Sequence, residues 1–273
     1  MSVFIASINS GSNGNCYYIG NSTEAVLVDV GISCGETQKR MERMNLDMDM
    51  VKAIFISHEH IDHIRGVEVM AKRFRLPVYI TPPTLQNSRL KIDPSLIHSF
   101  VPYEPVCIGG ISVTPFPKQH DAADPYSFVI EYNGVKTGVF TDIGLCCDHV
   151  IRNFSQCHAV FLEANYDEKM LEESSYPSYL KKRISGDNGH LSNNQSLELF
   201  VNHRPDFMSH LLLSHLSKNN NSPELVYDLF TKHAGKTHIT VASRYEESKV
   251  YHVKKDGAEQ PLQIYTRNQM TLF

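Results

Sequence analysis

Ser57-His58-Glu59-His60-Ile61-Asp62-His63 sets three imidazoles and two carboxylates within six residues, directly after the apolar run Ala53–Ser57 and ahead of a helical stretch. That density is out of keeping with a core or a routine loop. Neutral imidazole nitrogen and carboxylate oxygen are the donors that zinc and similar borderline cations accept. In a turn leaving a strand, His58 and His60 can point one way while Asp62 and His63 reach round to a second position. One ion could hardly use all four, so the spacing points to two.

Working outward, further donors stand at the ends of other strand-like runs. His120 follows Ile111–Pro117, Asp142 follows Gly138–Thr141, and His215 follows His210–Ser214. Each alone would be an ordinary residue; their common placement makes them candidate ligands. A water held between two such cations loses its proton near neutral pH, and the same charges neutralise a developing oxyanion. Hydrolysis is the expected chemistry, and the cations do not choose the substrate.

Strand-like runs recur at Val3–Ile8, Ala25–Asp29, Val78–Ile80, Ser127–Glu131, Thr137–Thr141, Ala159–Leu162, Leu211–Ser214 and Thr237–Val241. Asn133-Gly134 reads as a two-residue hairpin turn. Helical periodicity is present at Gly35–Met44, His63–Phe74, Asn193–His203 and Pro223–Ala234. Ser192 with Gln195 forms a capping pattern, and Ser222 precedes Pro223 at another helix start. The pattern is α/β with helices outside sheets; it fits two sheets between helical layers or one open mixed sheet.

The 273 residues are 41% hydrophobic and 21% charged, which suits a soluble globular protein with a sizeable core. No linker-like stretch divides the chain and no sequence repeat is visible, so residues 1–273 read as a single hydrolase domain. No signal peptide or membrane-length apolar run is apparent, and the expectation is a cytoplasmic protein with no membrane contact. Cys16, Cys34, Cys107, Cys146, Cys147 and Cys157 are then reduced thiols. A net charge of −4 argues weakly against nonspecific nucleic-acid binding. Three basic clusters, Lys39/Arg40/Arg43, Lys72/Arg73/Arg75 and Lys181/Lys182/Arg183, read most simply as solvated helix faces. Lys182 and Arg183 are nonetheless the best candidates for backbone phosphate contacts.

Two other stretches bear on the substrate. Ser10-Gly11-Ser12-Asn13-Gly14-Asn15 has glycines that permit several amides to aim at an anion, making Ser12, Asn13, Gly14 and Asn15 candidates for substrate binding. Gly189-His190-Leu191-Ser192-Asn193 sits at a helix start, where amides and dipole favour phosphate, so His190, Ser192 and Asn193 join them.

His58-Glu59-His60-Ile61-Asp62-His63 resembles the HxHxDH signature of metallo-β-lactamase-fold hydrolases. The resemblance implies a four-layer αββα sandwich. It also implies two divalent cations (zinc, manganese or iron), one held by His58, His60 and His120 and the other by Asp62, His63 and His215, with Asp142 bridging. Asp62 would also take part in catalysis, and Asp29, in the first motif, would support the ligands from behind. Leu162-Glu163-Ala164-Asn165-Tyr166 and the His190 segment resemble the nucleic-acid branch of the fold, ribonuclease Z among it. By that likeness Glu163 orients His190, which binds phosphate or protonates the leaving oxygen. Asn165 replaces that pattern's Thr, and no long tRNA-gripping arm is present.

Over nearly the whole chain the sequence is similar to the YycJ/WalJ-type subgroup, through runs such as SGSNGN, HEHIDHIRG, HDAADP, LEANYDEKML and LSHLSKNNN. This implies a 5′→3′ exonuclease on double-stranded DNA, linked to mismatch repair. An RNA-processing nuclease, a small-molecule phosphodiesterase or ester hydrolase, and a binding protein with vestigial catalysis are the alternatives. The C-terminal segment 267–273 ends Gln269-Met270-Thr271-Leu272-Phe273, which resembles the QLxLF-type peptide that binds the DNA sliding clamp. Gln269, Leu272 and Phe273 would make that contact, although Met270 and Thr271 depart from the commonest form.

Overall fold

The computed structural model describes residues 2–255; Gln269, Leu272 and Phe273 lie outside them. Two seven-stranded sheets form the centre. The first contains β1 (Val3–Asn9), β2 (Cys16–Gly20), β3 (Ala25–Val28), β4 (Val51–Phe55), β5 (Val78–Tyr79) and β6 (Ile97–His98). The second contains β7 (Val106–Ile108), β8 (Ile111–Pro117), β9 (Tyr126–Tyr132), β10 (Val135–Phe140), β11 (Ala159–Glu163), β12 (His210–Ser214) and β13 (His238–Val241). β14 (Tyr251–Val253) returns to the free edge of β1.

Around them stand α1 (Cys34–Arg43), α2 (Ile61–Ile64), α3 (Val67–Phe74), α4 (Pro82–Ser88), α5 (Asp148–Phe154), α6 (Glu168–Glu173), α7 (Ser178–Ser185), α8 (Asn193–His203) and α9 (Pro223–Thr231). The period of two along each strand sorts side chains into layers. Ala53 and Phe55 of β4, with Ala159 and Phe161 of β11, fill the space between the sheets. Ile54 joins Met41 and Met70 under α1 and α3, while Val160 and Leu162 join Phe200 and Phe230 under α8 and α9. The architecture is helix, sheet, sheet, helix, which resolves the sequence's choice between two sheets and one.

The two sheets share one plan. In each, four antiparallel strands (β14-β1-β2-β3, β7-β8-β9-β10) lead into three parallel additions (β4-β5-β6, β11-β12-β13). β3 and β10 hold equivalent places, and each ends in like sequence: Val28-Asp29-Val30-Gly31 and Thr141-Asp142-Ile143-Gly144. Both aspartates are left-handed, at φ 60° and 55°. A Cβ on Gly31 would lie against the Asp62 carbonyl, and one on Gly144 against that of Asp187. Thus the fold contains a repeat that the sequence reading did not find, because only a few residues of it remain alike.

The Asn133-Gly134 turn takes φ 50° and 77° and joins β9 to β10, as a type I′ hairpin requires. The capping box Ser192/Gln195 and the Ser222 cap both form. The helix read at His63–Phe74 is divided into α2 and α3, with Gly66 as the cap between them. One basic cluster is corrected. Arg40 is buried, and its guanidinium donates to the Ile8 carbonyl (3.1 Å), Asn9 Oδ1 (2.8 Å) and the Tyr245 carbonyl (2.8 Å) rather than facing solvent.

Candidate metal centre and active site

The site residues leave the carboxyl ends of β3, β4, β8, β10, β11 and β12, the edge where open parallel sheets bind ligands. Asp29, Asp142 and His215 (φ 57°) all use the left-handed region at these ends, a costly backbone state that a rigid surrounding structure must hold. One donor atom each from His58, His60 and His120 lies within 4.8 Å of the others, and so it is for Asp62, His63 and His215. Asp142 reaches towards both groups: Oδ2 is 3.2 Å from His63 Nε2, and Oδ1 is 3.4 Å from His215 Nε2 and 3.8 Å from His120 Nε2.

Three of these imidazoles are oriented by a contact on the far nitrogen, the arrangement that fixes a ligating tautomer. His63 Nδ1 meets Asp29 Oδ2 at 2.7 Å, while Ser57 N and Oγ donate to the same carboxylate. His120 Nδ1 donates to the Gly189 carbonyl (3.0 Å), and His215 Nδ1 meets Glu163 Oε1 (3.1 Å). Asn165 Nδ2 also stands 3.1 Å from His215 Nδ1, but Glu163 needs the proton there; Asn165's own bond runs to the His215 carbonyl at 2.9 Å.

These residues fit divalent cations. His120 Nε2 and Asp142 Oδ2 are buried and make no well-formed hydrogen bond, an expensive state for polar atoms. Five imidazoles and two carboxylates facing one cavity are also a donor set that zinc, manganese or iron accepts.

Without a cation, protons have to offset the carboxylates. Burial alone would lower His63, yet Asp142, Asp29 and Asp62 hold it well above its ordinary value. Burial likewise opposes charge on His215, but Asp142, Asp62 and Glu163 push it up to about 10. His120, with burial dominating, falls to about 3. A raised folded-state value adds stability that is complete below the unfolded value of 6.5 and lost as pH climbs through about 10. Unfolding midpoints of the metal-stripped protein should therefore fall across that window. With metal bound the fall should be much smaller, because cations replace the protons; identical pH courses in calorimetry would remove this account.

Glu163 is fully buried and serves several donors. Oε2 accepts from Ile143 N (2.8 Å) and Leu191 N (3.2 Å), and Oε1 lies 2.7 Å from His190 Nδ1. Burial would raise its carboxyl, but His190 and His215 hold it at about 2. The His190 ring stacks on that of His215, with centroids 5.2 Å apart, and lies 5.2 Å from His120. It therefore sits between the two donor groups.

Several expected substrate contacts are not available. Asn15 is fully buried against the donors, with Nδ2 3.3 Å from Asp62 Oδ2 and 3.1 Å from His63 Nε2, and does not face a substrate. In its loop the amides of Ser10, Gly11, Gly14 and Asn15 are all engaged inside the protein, and Gly14 is buried. Ser192 is buried as a helix cap bonded to Glu168, and Asn193 is buried against Asn221. The amides from Gly189 to Asn193 are occupied as well. These side chains are polar because they satisfy internal groups, which sequence cannot distinguish from facing a ligand. Ser12, Asn13, Lys182 and Arg183 do remain at the surface, with Arg183 paired to Asp121 at 2.5 Å.

The sequence reading missed Lys118. Its side chain is buried beside the centre, donating from Nζ to the Thr141 carbonyl at 2.7 Å next to Asp142. Burial pulls its ammonium down while Asp142 and Asp29 work the other way. Nothing in the local pattern distinguishes it from an exposed lysine after a strand.

The cysteines are free thiols among the described residues, and no helix there is long and apolar enough to cross a membrane.

Residues 24–215 match the beta-lactamase superfamily domain. Exodeoxyribonuclease YycJ of Bacillus anthracis is 32% identical over 230 residues, covering 82% of this chain and 86% of that one. Exodeoxyribonuclease WalJ of Streptococcus pneumoniae serotype 2 is 31% identical over 254 residues, covering 91% and 93%. Among solved structures, the metallo-beta-lactamase fold protein YhfI of Bacillus subtilis superposes with a TM-score of 0.68 at 14% identity, over 92% of this chain and all of that one. Zn(2+)-bound PqqB of Methylobacterium extorquens gives 0.69 at 12%, over 92% and 99%. The structural likenesses speak to fold, and the sequence matches to kinship. The chain belongs to the beta-lactamase superfamily, among the YycJ/WalJ group of metal-dependent hydrolases.

Proposed function

We propose that this hydrolase is an exonuclease that degrades double-stranded DNA in the 5′→3′ direction and acts in DNA repair in the cytoplasm. The observation that carries the reading is the Glu163–His190 pair, set 2.7 Å apart between the two donor groups. Relatives of similar length named exodeoxyribonucleases support it. His58, His60 and His120 would hold one cation and Asp62, His63 and His215 a second, with Asp142 reaching both. Bound there, the cations supply an acidified water and positive charge for a phosphoryl oxygen.

The chain's own residues do the rest. Asp29 and Glu163 keep protons on the far nitrogens of His63 and His215, leaving Nε2 lone pairs for the centre. His190, its Nδ1–H held by Glu163, presents Nε2 to the leaving oxygen and can deliver a proton to it. Asp62, whose side chain is 17% exposed, would accept a proton from the attacking water. A panel of labelled duplex DNA, single-stranded DNA, structured RNA and a thioester, each with Mn²⁺ or Zn²⁺, tests the proposal. Duplex DNA should be consumed from its 5′ ends; a preference for RNA or the thioester would overturn it.

The terminal peptide adds a second contact. A sliding clamp would raise the effective concentration of an acidic protein on DNA. Deleting Gln269–Phe273 should abolish clamp binding in surface plasmon resonance and leave hydrolysis of short duplexes intact; unchanged affinity ends that part of the proposal.

A further inference from the structure

A groove of about 360 Å³ opens immediately beside the metal centre. Its floor is apolar, from Leu216, Val241 and Ala242, and its walls carry Lys218, Arg244 and Tyr245. It starts one residue from a candidate ligand: Leu216 follows His215, and Ser10, which also lines the groove, accepts the His215 amide at 2.8 Å.

The far wall is rigid below and open above. Ser10 N donates to the Ser243 carbonyl (3.1 Å), Asn13 Nδ2 to the Arg244 carbonyl (2.9 Å), and Arg40 Nη2 to the Tyr245 carbonyl (2.8 Å). Arg43 grips Glu247 with two bonds of 2.7 Å, and Ser248 N donates to the Ser7 carbonyl. On this pinned loop the Tyr245 side chain stands free, with the residue 71% exposed. Arg244, half-buried along the groove, is braced by one side-chain bond, Nη2 to Ser12 Oγ at 3.1 Å, while its Nη1 is buried without a hydrogen bond. A tethered loop that holds out a large aromatic ring beside a half-buried guanidinium lining the groove is preorganised for a ligand with a flat face and an anionic backbone.

We propose that this groove binds the DNA strand next to the reacting phosphate, with Tyr245 stacked on a base and Arg244 and Lys218 on backbone phosphates. The inference rests on the exonuclease reading and assigns it a strand subsite. Lys218 and Arg244 outweigh the one acidic neighbour in the groove, Glu246. The Gly11–Asn15 loop acts here as a wall: it carries Ser12 and Asn13, which hold Arg244. Gly11, at φ 137°, lets that wall approach Arg244, since a Cβ there would be 3.3 Å from Arg244 Cβ.

The test uses the full-length, metal-loaded protein with duplex DNA carrying 5-iododeoxyuridine at successive positions from the 5′ end. Irradiation should cross-link the nucleotides nearest that end to the peptide containing Tyr245. Tyr245→Ala should weaken DNA binding by about 5- to 150-fold and raise KM with little change in kcat, and Tyr245→Phe should restore both, since stacking needs no hydroxyl. Lys218→Ala should lower the slope of log affinity against log salt by about one. Wild type that cuts duplex DNA while Tyr245→Ala keeps wild-type KM and no cross-link reaches Tyr245 would overturn the subsite alone. Wild type that neither binds nor cuts DNA would overturn the exonuclease reading and the subsite with it.

Discussion

An Asp142→Ala variant should fold, retain less than its full complement of metal by mass spectrometry, and lose at least about a thousandfold in turnover. The reason is position. Asp142 lies at the end of β10 with one oxygen facing His63 and the other facing His215 and His120. Among the described residues it is the single carboxylate that addresses both donor groups. Removing it leaves two clusters of imidazoles with less negative charge between them, so a pair of dications would repel each other unscreened. Lewis-acid stabilisation of a phosphoryl transition state is worth several kcal/mol, and each 1.4 kcal/mol is a factor of ten in rate. Asp142→Asn is the sharper variant, since it keeps the shape and removes the charge. Full metal content with near-normal turnover in Asp142→Asn would show that the centre does not depend on this residue.

His190→Ala is expected to lower kcat by about 10²- to 10⁴-fold, the range for a positioned proton donor, with a much smaller change in DNA affinity. Glu163→Gln should reproduce part of that loss by another route. The buried carboxylate accepts from four groups, His190 Nδ1, His215 Nδ1, Ile143 N and Leu191 N. An amide in its place turns one acceptor into a donor facing N–H groups, so His190 loses its orientation and the centre loses part of its support. The two variants separate in their readouts. His190→Ala should keep wild-type metal affinity, while Glu163→Gln should weaken it through His215, by about 10- to 100-fold if it behaves as outer supports of metal ligands do. A His190→Ala enzyme with unaltered kcat would take the imidazole out of the chemistry.

Much of the frame could be read in the chain. Buried strands such as Ala53–Ser57 and Ala159–Leu162 announce themselves as short apolar runs, and the polar residues at their ends, Ser57 and Glu163, stand buried at the sheet edge among the donors. Local hydrogen bonding made the Ser192/Gln195 capping box and the Asn133-Gly134 turn equally legible. β2 was missed although it is wholly buried, since it lies between the glycine-rich loop and Gly20-Asn21, in a stretch whose composition favours turns. α7 was missed because it has no buried face to impose a period.

A polar residue has two uses, facing a ligand or satisfying a buried group, and local sequence does not separate them. Asn15, Ser192 and Asn193 have the chemistry of ligand contacts, yet all three point inward to satisfy buried partners. Arg40 has the sequence context of a helix surface and lies buried under Tyr245. Lys118 was passed over for the same reason in reverse. Burial depends on what covers a residue, and the cover comes from distant segments.

By itself, then, the sequence determined which donors exist and that they stand where strands end, since strand period, turn chemistry and capping act over a few residues. Tertiary structure decided how those donors are brought together, and it alone decided which polar side chains are left for a substrate. Contacts such as Ser10 with His215, 205 residues apart, depend on sheet register and on left-handed turns at Asp29, Asp142 and His215. A one-residue slip of a strand would send each of its side chains to the opposite face.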